Sequence, residues 1–304
     1  MRKDMMSIRT CTAALACILA SAGAVSAQQA QGWRSIIPEY EPVEVRQLSA
    51  ELQRVYEAPE ARQGVAIEGD HFYAVVNTVI ARYEVESGEL VTRWIGPRGG
   101  LIRHLNSCYA ENARLICANS NFPELPQASS VEIYDAETLE HLETHSLGVM
   151  DEGSFVWFEA YGEGWIAGFA HYDGVGGVGF KDSTHSGIVT FDRNWRRTGG
   201  WLIPQSVQER MSPHAASGGS IGDDGLLYLF GHSAPEMYVL ARPSMGPALI
   251  HVATIDIDAA GQAFAFDRAN PGILYAIDRP TGTVRRFRMP EIIADHADVR
   301  RFER

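Results

Sequence analysis

The residues of this chain best equipped for chemistry are histidines that recur at the ends of apolar runs. His171 closes the run WFEAYGEGWIAGFAH and His232 closes GSIGDDGLLYLFGH, so one uncommon side chain occupies matching places in two segments. His104 stands at the start of a third run, and His214 comes three residues before Ser217. Neutral imidazoles gathered at one point can ligate zinc or another transition metal, or move protons near neutral pH. The expected metal set is His104, His171 and His232 around a divalent ion (zinc, manganese or calcium). His171 and His232 are also the expected acid and base, with Tyr172 as a further proton donor or acceptor. Arg103 can clamp a carboxylate, Gln63, Gln262, Asn77, Asn119 and Asp278 can orient a polar ligand, and Trp157 can stack on a sugar ring. Each assignment has a plainer counterpart, because Asn, Asp and His at strand ends also bond the local backbone.

Other chemistries lack their patterns. Gly218-Gly219-Ser220-Ile221-Gly222 fits GxSxG in letters, but that motif needs a strand-to-helix turn and this copy runs into a hairpin. No HExxH or CxxC occurs, and spacing assigns no Ser-His-Asp triad. The Gly-rich segment 171–182 has no strand–helix context for phosphate and is expected as a lid or rim.

Distant histidines can meet only if the elements carrying them converge. Five segments share one pattern: an apolar strand, a turn with Gly, Asn or Asp, a second apolar strand and a polar end. The ends are Asn77, Asn119, His171, His232 and Asp278, spaced 42, 52, 61 and 46 residues apart. A third strand usually follows, often with a fourth. Four antiparallel strands per unit of this length, repeated around an axis, predict a β-propeller. The fifth unit stops after TVRRFRM, so its outer strand is expected from the N-terminus, where VEVRQLS and ELQRVYEA both read as strands. That closure removes two exposed sheet edges. Five blades are predicted, six being the alternative if the long third and fourth units hide a further sheet. Ring closure would bring the second-strand ends together with the residues that precede each first strand, Gln63, His104, Trp157, Ser217 and Gln262. Pro290 onward is expected to form a short terminal helix.

The 304 residues are 45% hydrophobic and 21% charged, enough apolar surface for a large core. A net charge of −12 repels phosphate backbones and excludes nucleic acid as an expected partner. Arg2, Lys3 and Arg9 precede an apolar run from Cys11 to Val25, and Val25-Ser26-Ala27 offers a small-x-small cleavage site. Residues 1–27 therefore read as a secretory signal peptide, with residues 28–304 as one propeller domain in the periplasm or outside the cell. The run is short of the roughly 20 residues of a bilayer span, and no later stretch qualifies. Cleavage leaves Cys108 and Cys117, which flank a tight turn and can pair across a hairpin in an oxidising compartment.

SGGSIGDDGLLYLFGHSAPEMYVL and GQAFAFDRANPGILYAIDR resemble segments of secreted bacterial propellers labelled cycloisomerase-like. More loosely, the blade pattern is similar to the gluconolactonase and carboxymuconate-cyclase propellers. The resemblance implies an enzyme that opens, closes or eliminates across a C–O bond of a small acid or sugar, often with a divalent metal. The Glu/Asn/Asp metal set of the gluconolactonase type has no counterpart here. The expected function is thus an exported lyase or cycloisomerase acting on a carboxylated sugar or small organic acid in the funnel. Two alternatives stand beside it: a non-catalytic propeller binding a glycan or protein, and a five-bladed glycoside hydrolase. The last requires paired carboxylates, such as Asp278 with Glu159 or Asp173.

Overall fold

The computed structural model describes residues 36–232 and 234–303. The expected signal peptide, residues 1–27, lies outside them. Residues 36–42 belong to an N-terminal unit distinct from Val43–Arg304 and form neither helix nor strand.

The main unit opens with β1 (Arg46–Ser49) and β2 (Glu51–Glu57). The first blade is β3 (Gly64–Glu68), β4 (His71–Val76), β5 (Val79–Glu84) and β6 (Leu90–Ile95). The second is β7 (His104–Glu111), β8 (Arg114–Ser120), β9 (Ala128–Asp135) and β10 (His141–Val149). The third is β11 (Ser154–Tyr161), β12 (Gly164–Ala170), β13 (Gly187–Phe191) and β14 (Arg197–Leu202). After helix α1 (Gln205–Met211), the fourth comprises β15 (Gly218–Ile221), β16 (Leu227–Phe230), β17 (Glu236–Pro243) and β18 (Ile250–Asp256). The fifth has β19 (Phe264–Phe266), β20 (Ile273–Asp278) and β21 (Thr283–Arg288).

Among the described residues these strands form five sheets, antiparallel and consecutive in sequence except where the two N-terminal strands join. There β2 completes the fifth blade, pairing antiparallel with β21 from Glu51↔Arg288 to Glu57↔Thr283. The other strand-like stretch, β1, pairs parallel with β18 and extends the fourth blade. Both candidate N-terminal strands are therefore used, on different blades. Each innermost strand packs against the next: β3 on β7, β7 on β11, β11 on β15, β15 on β19, and β19 back on β3. The ring closes with five blades.

Burial follows from position in the sheet. The second strands are largely covered on both faces and are mostly apolar, as in Leu227–Phe230 and the first five residues of Ile273–Asp278. Outer β6 and β10 are exposed along most of their length. The buried side chains fall into five clusters, each spanning two neighbouring blades. Trp157 shows how close these interfaces are. It is fully buried, and a Cβ added at Gly168 or Gly219 would lie 2.1 or 2.2 Å from its indole. Glycine at both positions gives the ring its space, so Trp157 wedges two blades together instead of offering a face to a sugar.

Cys108 and Cys117 are directly opposed on β7 and β8 and form the expected disulfide, with Cα atoms 4.0 Å apart. The terminal segment is not the expected helix. Its strand β22 (Val299–Arg300) pairs with β17, and Phe302 is buried between the third and fourth blades. An extended chain lets the segment hydrogen-bond to a sheet while Phe302 reaches the core, which a compact helix would not.

Candidate functional site

A cavity of about 460 Å³ occupies one end of the channel. Its lining includes Gln63, His104, Ser217, His232 and Gln262 from the expected set, with His214, Asn106 and Arg279 beside them. Phe122, Tyr172, Asp173 and Val175 form part of its wall. The Gly-rich segment thus contributes to the rim. It is fastened where Gln127 Nε2 donates to the Gly176 carbonyl at 3.0 Å and where Lys181 binds Asp151.

Backbone register decides which second-strand ends reach the mouth. His232 lies two residues beyond Phe230, the partner of Gly218 at the start of β15. Tyr172 lies two beyond Ala170, the partner of Ser154, and Asn77 lies two beyond Val75, the partner of Gly64. Arg279 lies two beyond Ile277, whose amide donates to the Ala263 carbonyl. These four positions are equivalent. His171 and Asp278 fall one residue short of them, and a one-residue offset turns a side chain to the other face.

His171 accordingly leaves the cavity. Its ring is buried and faces the Asp151 carbonyl at 3.3 Å, with its backbone amide held by Ser186 Oγ. Asp278 points into its own turn, receiving the Ala260 amide at 2.8 Å, Arg285 Nη2 at 2.9 Å and the Thr281 hydroxyl. Asn119 is also outside the lining, but its Oδ1 accepts the His104 amide at 3.1 Å and so sets that residue's place. Asn77 stands just behind the wall, accepting from Gln63 Nε2 at 3.3 Å. Arg103 is exposed and pairs with Glu124, while its neighbour His104 turns inward.

The expected metal set is therefore not brought together. Among the described residues no group of three or more His, Cys, Asp or Glu side chains is placed to hold a metal ion. The three imidazoles that do meet, His104, His214 and His232, share the cavity with a guanidinium, whose charge opposes a bound dication. Among the described residues no pair of carboxylates lines this cavity either. The lining holds one, Asp173, whose oxygens accept the amide and hydroxyl of Ser183 at 2.7 and 3.2 Å.

Arg279 is the residue that the sequence reading missed. Its Nη1 donates to Gln262 Oε1 at 3.0 Å and faces His232 Nδ1 at 3.4 Å. Among the described residues no carboxylate pairs with it. Burial lowers its pKa from the ordinary arginine value, and Arg62 adds to the effect. A guanidinium has only donors, so His232 Nδ1 must present its lone pair. The proton then sits on Nε2, which donates to Ser217 Oγ at 2.7 Å. This is the reverse of a nucleophilic Ser–His pair, in which Nε2 accepts. It leaves the Ser217 hydroxyl free to donate in turn.

Burial, followed by the charges of His214, Arg279 and His104, holds His232 down to about 3. His104 is held at about 4 by burial and then by Arg279, against the raising effect of its bond to Asn106. Both rings are neutral at pH 7. Burial pushes Tyr172 up to about 12, so it keeps its proton and is no base at neutral pH. The rings touch in two groups. His214 lies flat on His232 with centroids 4.7 Å apart, and Phe122 contacts both His104 and Tyr172 at 5.1 and 4.9 Å.

No family model matches the chain. No curated protein matches it either. Solved structures that align with it include the crystal structure of the RRP9 WD40 repeats, with TM-score 0.42 and 10% identity over 75% of this chain and 79% of that one. The structure of U3-55K aligns with TM-score 0.42 and 9% identity over 74% of this chain and 80% of that one.

Proposed function

We propose that this propeller binds a small molecule through a carboxylate held at the channel mouth by Arg279. The observation that carries this reading is a half-buried guanidinium, lining a cavity of ligand size, with no carboxylate partner among the described residues. A bound carboxylate would supply that partner, and charge-assisted bonds to arginine are among the stronger polar contacts. Ser217, the neutral imidazole of His104 and the ring of His214 add hydrogen-bonding groups at the same place. Export remains part of the proposal, supported by the Cys108–Cys117 disulfide, since such bonds persist in oxidising compartments.

The lyase or cycloisomerase reading keeps the carboxylate clamp, moved from Arg103 to Arg279, and proceeds without a metal. Its proton-moving residues would be His104 and His232. His232 has both ring nitrogens engaged, Nδ1 by Arg279 and Nε2 by Ser217, which favours binding over proton transfer. Titration calorimetry with a panel of small carboxylates, set against their amides, tests the proposal. Carboxylates should bind, amides should not, and Arg279→Gln should abolish the difference. Carboxylates that bind equally well to the Arg279→Gln variant would overturn it.

A further inference from the structure

We propose that the occupant of the mouth is an aromatic monocarboxylate, bound carboxylate-first against Arg279 with its ring among the aromatic walls. This deepens the reading above and rests on it. Three observations separate such a ligand from a carboxylated sugar or a diacid.

First, three of the side chains that could accept from a sugar at or beside the mouth already hold donors of the protein's own. Gln262 Oε1 receives Arg279, Asn77 Oδ1 receives Gln63, and both oxygens of Asp173 receive Ser183. A polyol would have to share these acceptors with their present donors, and an unmade buried hydrogen bond is costly. Second, rings and apolar side chains form a large share of the walls. Phe122 and Tyr172 form one cluster, the stacked His214 and His232 another, and Pro213 and Val175 lie on the same cavity. Flat π-faces gain from offset or edge contacts with such neighbours. Third, one guanidinium faces the cavity while Asp173 sits at its rim. A second carboxylate on the ligand would meet neutral imidazoles or that anion, so a single acid group fits best. The volume of about 460 Å³ admits a substituted ring.

The test is calorimetric binding of benzoate, 2-naphthoate, glucuronate, phthalate and benzyl alcohol to the full chain. Benzoate or naphthoate should bind at least about tenfold more tightly than glucuronate or phthalate, and benzyl alcohol should not bind. Phe122→Leu keeps an apolar side chain but removes the ring face, and should weaken the aryl acids by about three- to tenfold. Glucuronate should be unaffected by that change. Thermal melting establishes that the variant is folded, and Tyr172→Leu provides a second wall variant. Arg279-dependent binding that favours glucuronate or phthalate would overturn this inference and leave the carboxylate site standing. Failure of every acid to show Arg279 dependence would remove both.

Discussion

Two arginines enter the channel, and their surroundings differ in kind. Near the end opposite the mouth, Arg268 forms an ion pair with Glu159, donates to Ser220 Oγ and the Ile221 carbonyl, and reaches Asp223 at 3.3 Å. Glu159 is buried and also accepts the Ser220 hydroxyl and Ile221 amide at 2.8 and 2.7 Å. Residues of all five inner strands surround this end, leaving a cavity of only about 30 Å³. At the mouth, Arg279 has an amide oxygen and an imidazole lone pair instead of a carboxylate. The closed end uses charge to complete itself; at the open end, among the described residues, the guanidinium meets no carboxylate.

The strongest attack on this contrast is Arg268→Leu, which removes the guanidinium that pairs with the buried Glu159 carboxylate. Stability should fall by about 3 kcal/mol, read as a lower urea midpoint. Little change in the midpoint would mean that the closed end is not held by charge. Next comes Gly219→Ala, which drives a methyl group into Trp157 at the blade interface and should cost about 1–3 kcal/mol in the same assay.

At the mouth the signs reverse. Arg279→Gln should cut carboxylate affinity by about tenfold or more while shifting stability by less than about 0.5 kcal/mol. Gln262→Glu sharpens the comparison further, because it gives Arg279 an internal partner like the one Arg268 has. It should raise the melting temperature and eliminate carboxylate binding; retained affinity would show that a free guanidinium is not what the ligand recognises.

A further effect concerns protons. His104 and His232 titrate near 4 and 3 in the folded chain, below the ordinary histidine value of 6.5. Below pH 6.5 the unfolded chain therefore binds protons that the folded chain refuses. Their contribution to stability is complete above about 6.5 and declines as pH falls toward 3 to 4. A bound carboxylate offsets the charge of Arg279, so both pKa values should rise and ligand binding near pH 4 should take up protons. In NMR titrations Arg279→Gln alone should move both imidazoles upward, and unmoved resonances would uncouple them from that guanidinium.

The propeller was readable because each blade repeats its pattern within a few dozen residues, where hydrophobic alternation and turn chemistry act locally. The disulfide was readable for the same reason, since Cys108 and Cys117 share one hairpin. The site was readable in part. Gln63, Gln262, Ser217 and His232 follow from strand position, and His104 from alternation once its neighbour Arg103 faces outward. His171 misled because FAH and FGH align in letters while their strands end one residue out of step. Arg279 was hidden behind Asp278 by the same slip.

Residue types and repeat spacing determined that this chain would fold into a ring and that polar groups would gather at its mouth. Tertiary structure decided which groups those are. A strand presents alternate residues to opposite faces, so the identity of a functional side chain turns on register to a single residue. Cross-strand hydrogen bonds fix that register, and a linear pattern does not contain them.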